Sequence, residues 1–429
     1  MVRRGIGIVS YRQAPRSSTT TRGRTWKLKT SPPRILLVDC DSFFVQVARL
    51  EDPDGAGRRR LLIVGGTPEG RGVVASASYE ARKHGVRSAM PTARALRLCP
   101  GAAVVPVPRA ACARRGREVR RALEELSPVV RPASIDEFYL DLSGTERMLA
   151  GESFEDTARR IRDTVLARTG VSVSAGGGTR RLIAKLATGL AKPAGVRIVP
   201  PGEESEFMRR FDLADIPGIG PAFRAALERR SLRSVTDVLR VQPEWLERWF
   251  GARRARWLHD RVRGLDGEGA LPVRERKSVS VERTFATDLS DDDELDGVLS
   301  RQVNSVGRRV RRLGGGARTI TVKIRDRDFA TRQCGRTLPR PVESDQAILR
   351  VARELLAELR SRRRTPARLL GVAASGFSSE GKRTQLAFFA EADDPDPDRA
   401  RRISRVMDLA RNRFGDGALG SGRSLDSPE

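Results

Sequence analysis

Two adjacent carboxylates, Asp136 and Glu137, are the residues of this sequence best suited to chemistry. Short apolar residues flank them, and a strand-like run continues to Leu142. Side chains alternate between the faces of a strand, so both acids can point at one cation only at a strand start or a bend. Two shielded carboxylates repel each other unless a cation lies between them, and their oxygen ligands favour a divalent ion such as magnesium. The alternative is a solvated strand end.

A second acidic strand strengthens the metal hypothesis. Residues 35–39 form an apolar run that ends in Asp39, and Asp41 follows. The run is typical of a buried strand, and an acid at its end is costly to bury unless it is liganded or paired. Asp39, Asp136 and Glu137 together therefore predict a two-metal carboxylate cluster.

Composition points to a polyanionic partner. The 429 residues suggest roughly two to four domains, and 81 Lys and Arg residues against 54 Asp and Glu residues give a formal net charge of +27. Such a charge favours nucleic acid, although a general abundance of arginine is the alternative.

Several other classes are disfavoured. The chain has four cysteines without a C-x-x-C pair and only two histidines, which argues against a zinc site, a disulfide framework and a Ser-His-Asp triad. No apolar run is long enough to span a membrane. Residues 1–33 are basic but lack an apolar core, so they are expected to be a disordered leader and not a secretory signal.

The order of elements predicts a split βαβ sheet of the ferredoxin type, with the Asp39 strand beside the Asp136 strand. Residues 42–107 interrupt it as a compact insertion. The predicted elements are a strand at 34–41, a helix at 109–127, a strand at 134–142, a helix at 155–169, a strand at 171–175, a turn at 176–178, a helix at 182–190 and a strand at 196–199.

The C-terminal half predicts a second α+β unit after a linker at 267–276. Strands are expected near 277–285, 317–326, 330–337 and 367–376, with helices near 293–312 and 344–360. The polar, Pro-containing stretch at 392–429 is expected to be mostly disordered.

Two further motifs have a functional and a plain interpretation. Ser76, Tyr79 and Arg82 can offer a hydroxyl, a phenol and a guanidinium to a polyphosphate, or can belong to an ordinary surface helix. The P-G-I-G turn at 217–220 exposes backbone N–H groups at a helix start, which suits a DNA phosphate, or it simply joins two helices.

In combination and in this order, seven motifs resemble those of the Y-family translesion DNA polymerases of the bacterial polymerase IV type. The motifs are V-D-C-D-S-F-F at 38–44, A-S-Y-E-A-R-K-H-G-V at 77–86, S-A-M-P at 88–91, S-I-D-E at 134–137, A-K-P at 191–193, I-P-G-I-G at 216–220 and R-K-S-V-S-V-E-R-T at 276–284. The resemblance implies an α+β right-hand polymerase. Its parts would be a palm at 34–41 and 108–199, fingers at 42–107, a helical thumb with a helix-hairpin-helix at 200–266 and a little finger at 277–391.

The resemblance also implies a reaction. A low-fidelity enzyme without proofreading would add deoxynucleotides to a primer 3′-hydroxyl on damaged template DNA. Asp39, Asp136 and Glu137 match the catalytic metal ligands, and Cys40 matches a ligand that acts through its backbone carbonyl. The cofactor would be two Mg²⁺ ions, with Mn²⁺ as a possible substitute.

Contacts to the substrates follow by the same resemblance. Tyr79, Arg82 and Lys192 match triphosphate contacts, with Ser76 beside them. Phe43 and Phe44 match nucleotide contacts, and Phe44 matches the steric gate that excludes a ribose 2′-hydroxyl; its alternative is a core phenylalanine. Primer-template DNA would meet Gly218, Gly220, Lys277 and Ser278.

The segment 385–389 resembles a sliding-clamp docking motif, and its alternative is an edge strand. The motif residues are Gln385, Leu386, Phe388 and Phe389. The resemblance further implies a monomer in the cytoplasm, at the nucleoid and away from membranes. Departures at 48–49, 138 and 180–181 leave open the lesion preference and the nucleotide geometry. A non-catalytic relative and a nucleotidyl cyclase are the competing hypotheses.

Overall fold

The structure is a computed structural model, and it describes residues 32–145, 151–266, 275–377, 396–415 and 419. The described strands are β1 (Ile35–Cys40), β2 (Leu62–Gly65), β3 (Val74–Ala77), β4 (Ala103–Val105), β5 (Val129–Pro132), β6 (Glu137–Asp141), β7 (Val173–Gly178), β8 (Val196–Ile198), β9 (Ser278–Leu289), β10 (Ala317–Asp326), β11 (Thr331–Val342) and β12 (Ala367–Phe377).

The described α-helices are α1 (Phe43–Glu51), α2 (Tyr79–Lys83), α3 (Thr92–Leu98), α4 (Arg109–Glu124), α5 (Phe154–Thr169), α6 (Arg181–Ala191), α7 (Glu204–Met208), α8 (Pro221–Glu228), α9 (Val235–Leu239), α10 (Pro243–Phe250), α11 (Ala252–Arg261), α12 (Asp292–Arg311), α13 (Asp345–Arg362) and α14 (Asp398–Phe414). Among these residues no helix is long and apolar enough to cross a membrane.

The first unit is a five-stranded sheet in the order β5-β6-β1-β7-β8. Strand β1 lies at its centre, antiparallel to both β6 and β7, so the predicted pairing of the two acidic strands is confirmed. Every residue of β1 is buried, which explains why its sequence is a continuous apolar run.

Alternation along β1 divides its side chains between two cores. Leu36 and Val38 pack in the core that α4 and α5 cover, whereas Leu37 packs with Ala184 of α6 on the opposite face. Asp39 has the same parity as Leu37, so it lies on the α6 face. The apolar pattern of the strand therefore decides which helix faces the acid.

The prediction of a turn at residues 176–178 is wrong, because all three glycines are buried within β7. A Cβ on Gly176 would lie 2.1 Å from the backbone nitrogen of Thr188 in α6. Glycine therefore serves here to let α6 lie directly against the sheet and not to reverse the chain.

There are two smaller units. The first is a three-stranded sheet of β3, β2 and β4, whose strands come between α1 and α4 in the sequence. Helices α7 to α11 share one apolar core with part of α6, in which Met208, Leu227 and Leu258 are fully buried. We call these the three-stranded unit and the helical unit.

The predicted second α+β unit is present as a four-stranded antiparallel sheet in the order β11-β10-β12-β9. Helices α12 and α13 cover one face, and apolar residues of alternating positions such as Ile320, Val322 and Ile324 fill the core between them. We call it the four-stranded unit.

The expectation of disorder after residue 391 is wrong for residues 396–415, which contain α14. Polar groups, and not an apolar face, hold this segment against the end of α12 and the start of α13. The carboxylate of Asp408 accepts two hydrogen bonds from Arg311, at 2.7 and 2.9 Å. The carboxylate of Asp396 accepts from the backbone N–H groups of Glu343 and Ser344, at 2.7 and 3.1 Å. Sequence patterning missed the helix because its docking face is not apolar.

Candidate active site

The three predicted carboxylates belong to residues at one end of the five-stranded sheet, near enough that the charges of Glu137 and Asp136 raise the pKa of Asp39. Asp39 and Glu137 are directly paired across β1 and β6, and directly opposite residues point to the same face of a sheet. Asp136 lies one residue before β6, and its carbonyl accepts a hydrogen bond of 3.0 Å from the Cys40 N–H. The strand start therefore places Asp136 beside the Asp39–Glu137 pair, and the joint role of the three acids as metal ligands stays a prediction.

Two lysines of the α6 segment neutralise this acidic pair. Lys192 Nζ donates to Asp39 Oδ1 at 2.5 Å, and Lys185 Nζ donates to Glu137 Oε1 at 2.6 Å. Asp136 is held differently, because its Oδ1 accepts from the hydroxyl of Ser134. Lys185 is a residue that the sequence analysis missed; its spacing of seven from Lys192 on one helix segment was the available signal.

Burial makes the ionised form of Asp39 costly. It raises the pKa of Asp39 from 3.8 to about 6, although the charge and hydrogen bond of Lys192 act in the opposite direction. The nearby charges of Glu137 and Asp136 raise the pKa of Asp39 further. For Lys185, burial lowers the pKa, but the hydrogen bond and charge of Glu137 outweigh it and raise the pKa. A positive charge at this place is therefore strongly favoured.

The donor set fits a divalent cation with hard oxygen ligands. In the part of the chain that the structure describes, no three His, Cys, Asp or Glu side chains stand in a geometry that holds a metal ion. Lys192 and Lys185 each occupy one oxygen of Asp39 and Glu137, respectively. Burial raises the pKa of the Cys40 thiol well above its usual range, so Cys40 can offer only its backbone carbonyl.

Tyr79 and Arg82 reach the same region from α2. The Tyr79 hydroxyl donates to Asp41 Oδ1 at 3.1 Å, and the Arg82 guanidinium lies over the Tyr79 ring at 5.2 Å from its centroid. Arg82 Nε donates to the carbonyl of Ala77 at 2.9 Å, beside buried Ser76 on β3. Burial, with the charge of Asp41, raises the pKa of Tyr79 to about 12, so the phenol keeps its proton.

Phe43 and Phe44 begin α1 and differ in environment. Phe43 is only 2% exposed and belongs to the main core of the sheet, so its ring is not available to a nucleotide. Phe44 is partly buried, and its ring centroid lies 5.7 Å from that of Phe43. Of the two aromatic residues, Phe44 alone presents part of its ring to the surface.

Asp41 is a second residue that sequence reasoning left without a role. Its carboxylate is buried, at 3% exposure, and accepts hydrogen bonds from four groups of other segments. The available signal was its position, two residues beyond Asp39 at the end of a buried strand.

The predicted DNA contacts lie in other units. Gly218, with a φ of +100°, forms the turn before α8, and Gly220 is the N-cap of that helix. A similar start, with Gly251 at a φ of +77° before α11, was not predicted. Lys277 and Ser278 are exposed at the start of β9. The predicted clamp motif at 385–389 lies outside the described residues, as does the basic leader up to residue 31.

Comparisons with known proteins agree with this arrangement. The model of the impB/mucB/samB family matches residues 38–189, and the model of its C-terminal domain matches residues 276–388. A protein called DNA polymerase IV from Alkalilimnicola ehrlichii is 39% identical over 363 residues, which cover 84% of this chain and 100% of that protein. A protein of the same name from Halorhodospira halophila is 37% identical, covering 84% of this chain and 98% of that protein.

Comparison with solved structures also finds DNA polymerases. A Y-family DNA polymerase chimera of Dbh and Dpo4 matches with a TM-score of 0.70 and 26% identity, over 80% of this chain and 99% of that one. An insertion ternary complex of Dbh DNA polymerase matches with a TM-score of 0.56 and 27% identity, over the same shares. The chain thus belongs to the impB/mucB/samB family, among the Y-family DNA polymerases.

Proposed function

We propose that this protein is a template-directed DNA polymerase that adds deoxynucleotides to a primer 3′-hydroxyl and works on damaged templates. The observation that best supports this proposal is the group of acids at the end of β1, where Asp39 and Glu137 are paired across two strands and Asp136 adjoins them. A non-catalytic DNA-bound relative would have no need of the costly buried acid Asp39 or of two further acids beside it. The relatives named DNA polymerase IV support the same reaction.

The units correspond to the parts of a right hand. The five-stranded sheet would be the palm, the three-stranded unit the fingers, the helical unit the thumb and the four-stranded unit the little finger. In this assignment the palm carries the acids and the fingers carry Tyr79 and Arg82, so an incoming triphosphate lies between them.

Asp39, Asp136, Glu137 and the Cys40 carbonyl would hold two divalent ions, with Mg²⁺ as the expected species and Mn²⁺ as a substitute. When bound, such ions lower the pKa of the primer hydroxyl and neutralise the leaving pyrophosphate. Low fidelity and the absence of proofreading are part of the proposal.

The basic side chains then change partners. Lys192 leaves Asp39 for the triphosphate, and the carboxylate that it releases becomes available as a ligand. Arg82 needs no such exchange of acids, because its Nε is anchored on a backbone carbonyl and its remaining N–H groups can meet phosphate oxygens. Held in this way, the α-phosphorus is positioned for in-line attack.

Binding of DNA rests on the basic surface and on backbone N–H groups. The turn at Gly218 and Gly220 exposes such groups at the start of α8. In the four-stranded unit, alternation leaves Thr321, Lys323 and Arg325 on the face opposite α12 and α13. A sheet face of hydroxyl and basic groups suits a phosphate backbone.

The segment 385–389 would dock a monomeric enzyme on a sliding clamp. Gln385, Leu386, Phe388 and Phe389 supply the aliphatic and aromatic anchors that a groove on a partner accepts. Tethering would raise the concentration of the enzyme at a primer end.

Asp136→Ala should abolish primer extension while DNA binding persists, because binding depends mainly on basic contacts. Extension with magnesium and a binding titration on the same primer-template measure the two effects. Asp163→Ala, which removes an exposed acid of α5, is the control. Full extension by Asp136→Ala would contradict the proposed reaction.

Phe44→Ala should weaken the preference for deoxynucleotides by at least about tenfold, because no ring then meets the ribose 2′-hydroxyl. Single-nucleotide insertion with deoxy- and ribonucleotides gives the ratio. Phe154→Ala, which removes another partly buried ring from the same core, is the matched control. Sugar selectivity that stays unchanged in Phe44→Ala would make Phe44 a core residue only.

Deletion of 385–389 should reduce extension on clamp-loaded primer by up to about 100-fold and leave naked primer unaffected, because only the tether is lost. Deletion of 379–383 removes the same number of residues nearby and serves as the control. Equal losses on both substrates would mean that the segment is structural.

Asp39→Asn should stabilise the metal-free protein at pH 8. A carboxyl group whose pKa rises from 3.8 to about 6 on folding destabilises the folded state once it ionises, so the cost is complete above pH 6 and absent below pH 3.8. The shift corresponds to roughly 3 kcal/mol, or a few degrees in unfolding midpoint. Thermal unfolding with a chelator at pH 8 and pH 4 tests this. A lower midpoint at pH 8 would mean that the pair with Lys192 outweighs burial.

A further inference from the structure

The buried carboxylate of Asp41 is fully used by hydrogen bonds. Oδ1 accepts from the Tyr79 hydroxyl at 3.1 Å and from the Ser174 hydroxyl at 2.8 Å. Oδ2 accepts from the Ser172 hydroxyl at 2.9 Å and from the Ala194 N–H at 3.0 Å. A carboxylate has about four lone-pair sites, so these four donors saturate it.

Asp41 and Asp39 are only two residues apart, but they differ in how many hydrogen bonds their carboxylates already accept. The partner of Asp39 is a flexible ammonium group that can leave. The four donors on Asp41 are all neutral. Ser174 lies in β7, Ser172 comes just before β7, and Ala194 donates through its backbone N–H. Asp41 could bind a cation only by giving up contacts that hold the sheet together, so it is not a suitable metal ligand.

The backbone around Asp41 is fixed as well. The Asp41 N–H donates to the Ser172 carbonyl at 3.0 Å. The Gln46 amide group donates to the carbonyls of Asp41 and Ser172 and accepts from the Ser172 N–H at 2.8 Å. The acid therefore has a rigid base from which it can position other groups.

Two of the groups that donate to Asp41, the Tyr79 hydroxyl and the Ala194 N–H, belong to residues close to the basic side chains proposed to bind the triphosphate. Through Tyr79, Asp41 fixes the ring on which the Arg82 guanidinium rests. Through the Ala194 N–H, it fixes the chain two residues after Lys192. One acid thus contacts the neighbours of both cations and, by these bonds, links α2 of the three-stranded unit to the five-stranded sheet.

We propose that Asp41 is a positioning residue for the incoming nucleotide: through Tyr79 and Ala194 it sets the places of Arg82 and Lys192 relative to Asp39. This inference rests on the proposed polymerase function. It assigns to Asp41 no contact with the substrate and no metal.

The test measures nucleotide binding without chemistry. Wild type and Asp41→Asn are bound to a primer-template whose primer ends in a dideoxynucleotide, and the Kd of the complementary deoxynucleotide is determined by titration. The amide of Asn turns N–H groups toward groups that are themselves donors, so Kd should rise by about 10- to 100-fold. In extension assays on ordinary primer, KM should rise more than kcat falls.

A double-mutant cycle separates positioning from general damage. If Asp41 acts through the Tyr79 hydroxyl, Tyr79→Phe should raise Kd in the wild-type background but change it by less than about twofold in Asp41→Asn. Additive effects of the two substitutions would overturn the proposal, as would a Kd of Asp41→Asn equal to that of wild type.

Two further variants complete the design. Asp326→Asn removes another fully buried carboxylate, in the four-stranded unit, and should lower the unfolding midpoint without changing Kd. Asp41→Glu keeps the charge but moves the oxygens by one methylene; it replaces Asp41→Asn if that variant does not fold, with a smaller rise in Kd and the same coupling to Tyr79. Failure of wild type to extend any primer would instead refute the polymerase function itself.

Discussion

The cost of ionised carboxylates at the end of a buried strand governs the arrangement of the whole site. Asp39 lies where burial opposes its charge, and Glu137 and Asp136 add repulsion. Such a group is tolerated only beside positive charge. In this structure Lys192 and Lys185 supply it, so the basic residues of the α6 segment help to hold the acids of the site in place.

That requirement explains features remote from the acids. Lys185 can reach Glu137 only if α6 lies close against the sheet, and the absence of a side chain at Gly176 permits this approach. The alternating cores of β1 then select the face on which Asp39 emerges. The packing of α6 against the sheet thus depends on the glycines of β7 and on the apolar pattern of β1. The same packing places the lysines beside the acids.

Much of the fold and part of the site could be predicted from sequence. An apolar run that ends in an acid indicates a buried strand, and the motif order identifies the partner strand. Long-range contacts could not be predicted in this way. The bonds that saturate Asp41 come from residues up to 153 positions away, and the different fates of Phe43 and Phe44 depend on where α1 begins. The glycines of β7 were misassigned because turns and close helix–sheet contacts both require glycine.

Helix α14 extends the C-terminal boundary of the four-stranded unit beyond the end of the family model. The family model ends at residue 388, but the buried Arg311 shares its charge between Asp345 of α13 and Asp408 of α14. A chain trimmed at the homology boundary would keep the guanidinium and lose one of its two anions, and it would also uncover backbone N–H groups that Asp396 caps at the start of α13. The evolutionary module and the cooperative folding unit therefore end at different places in this protein.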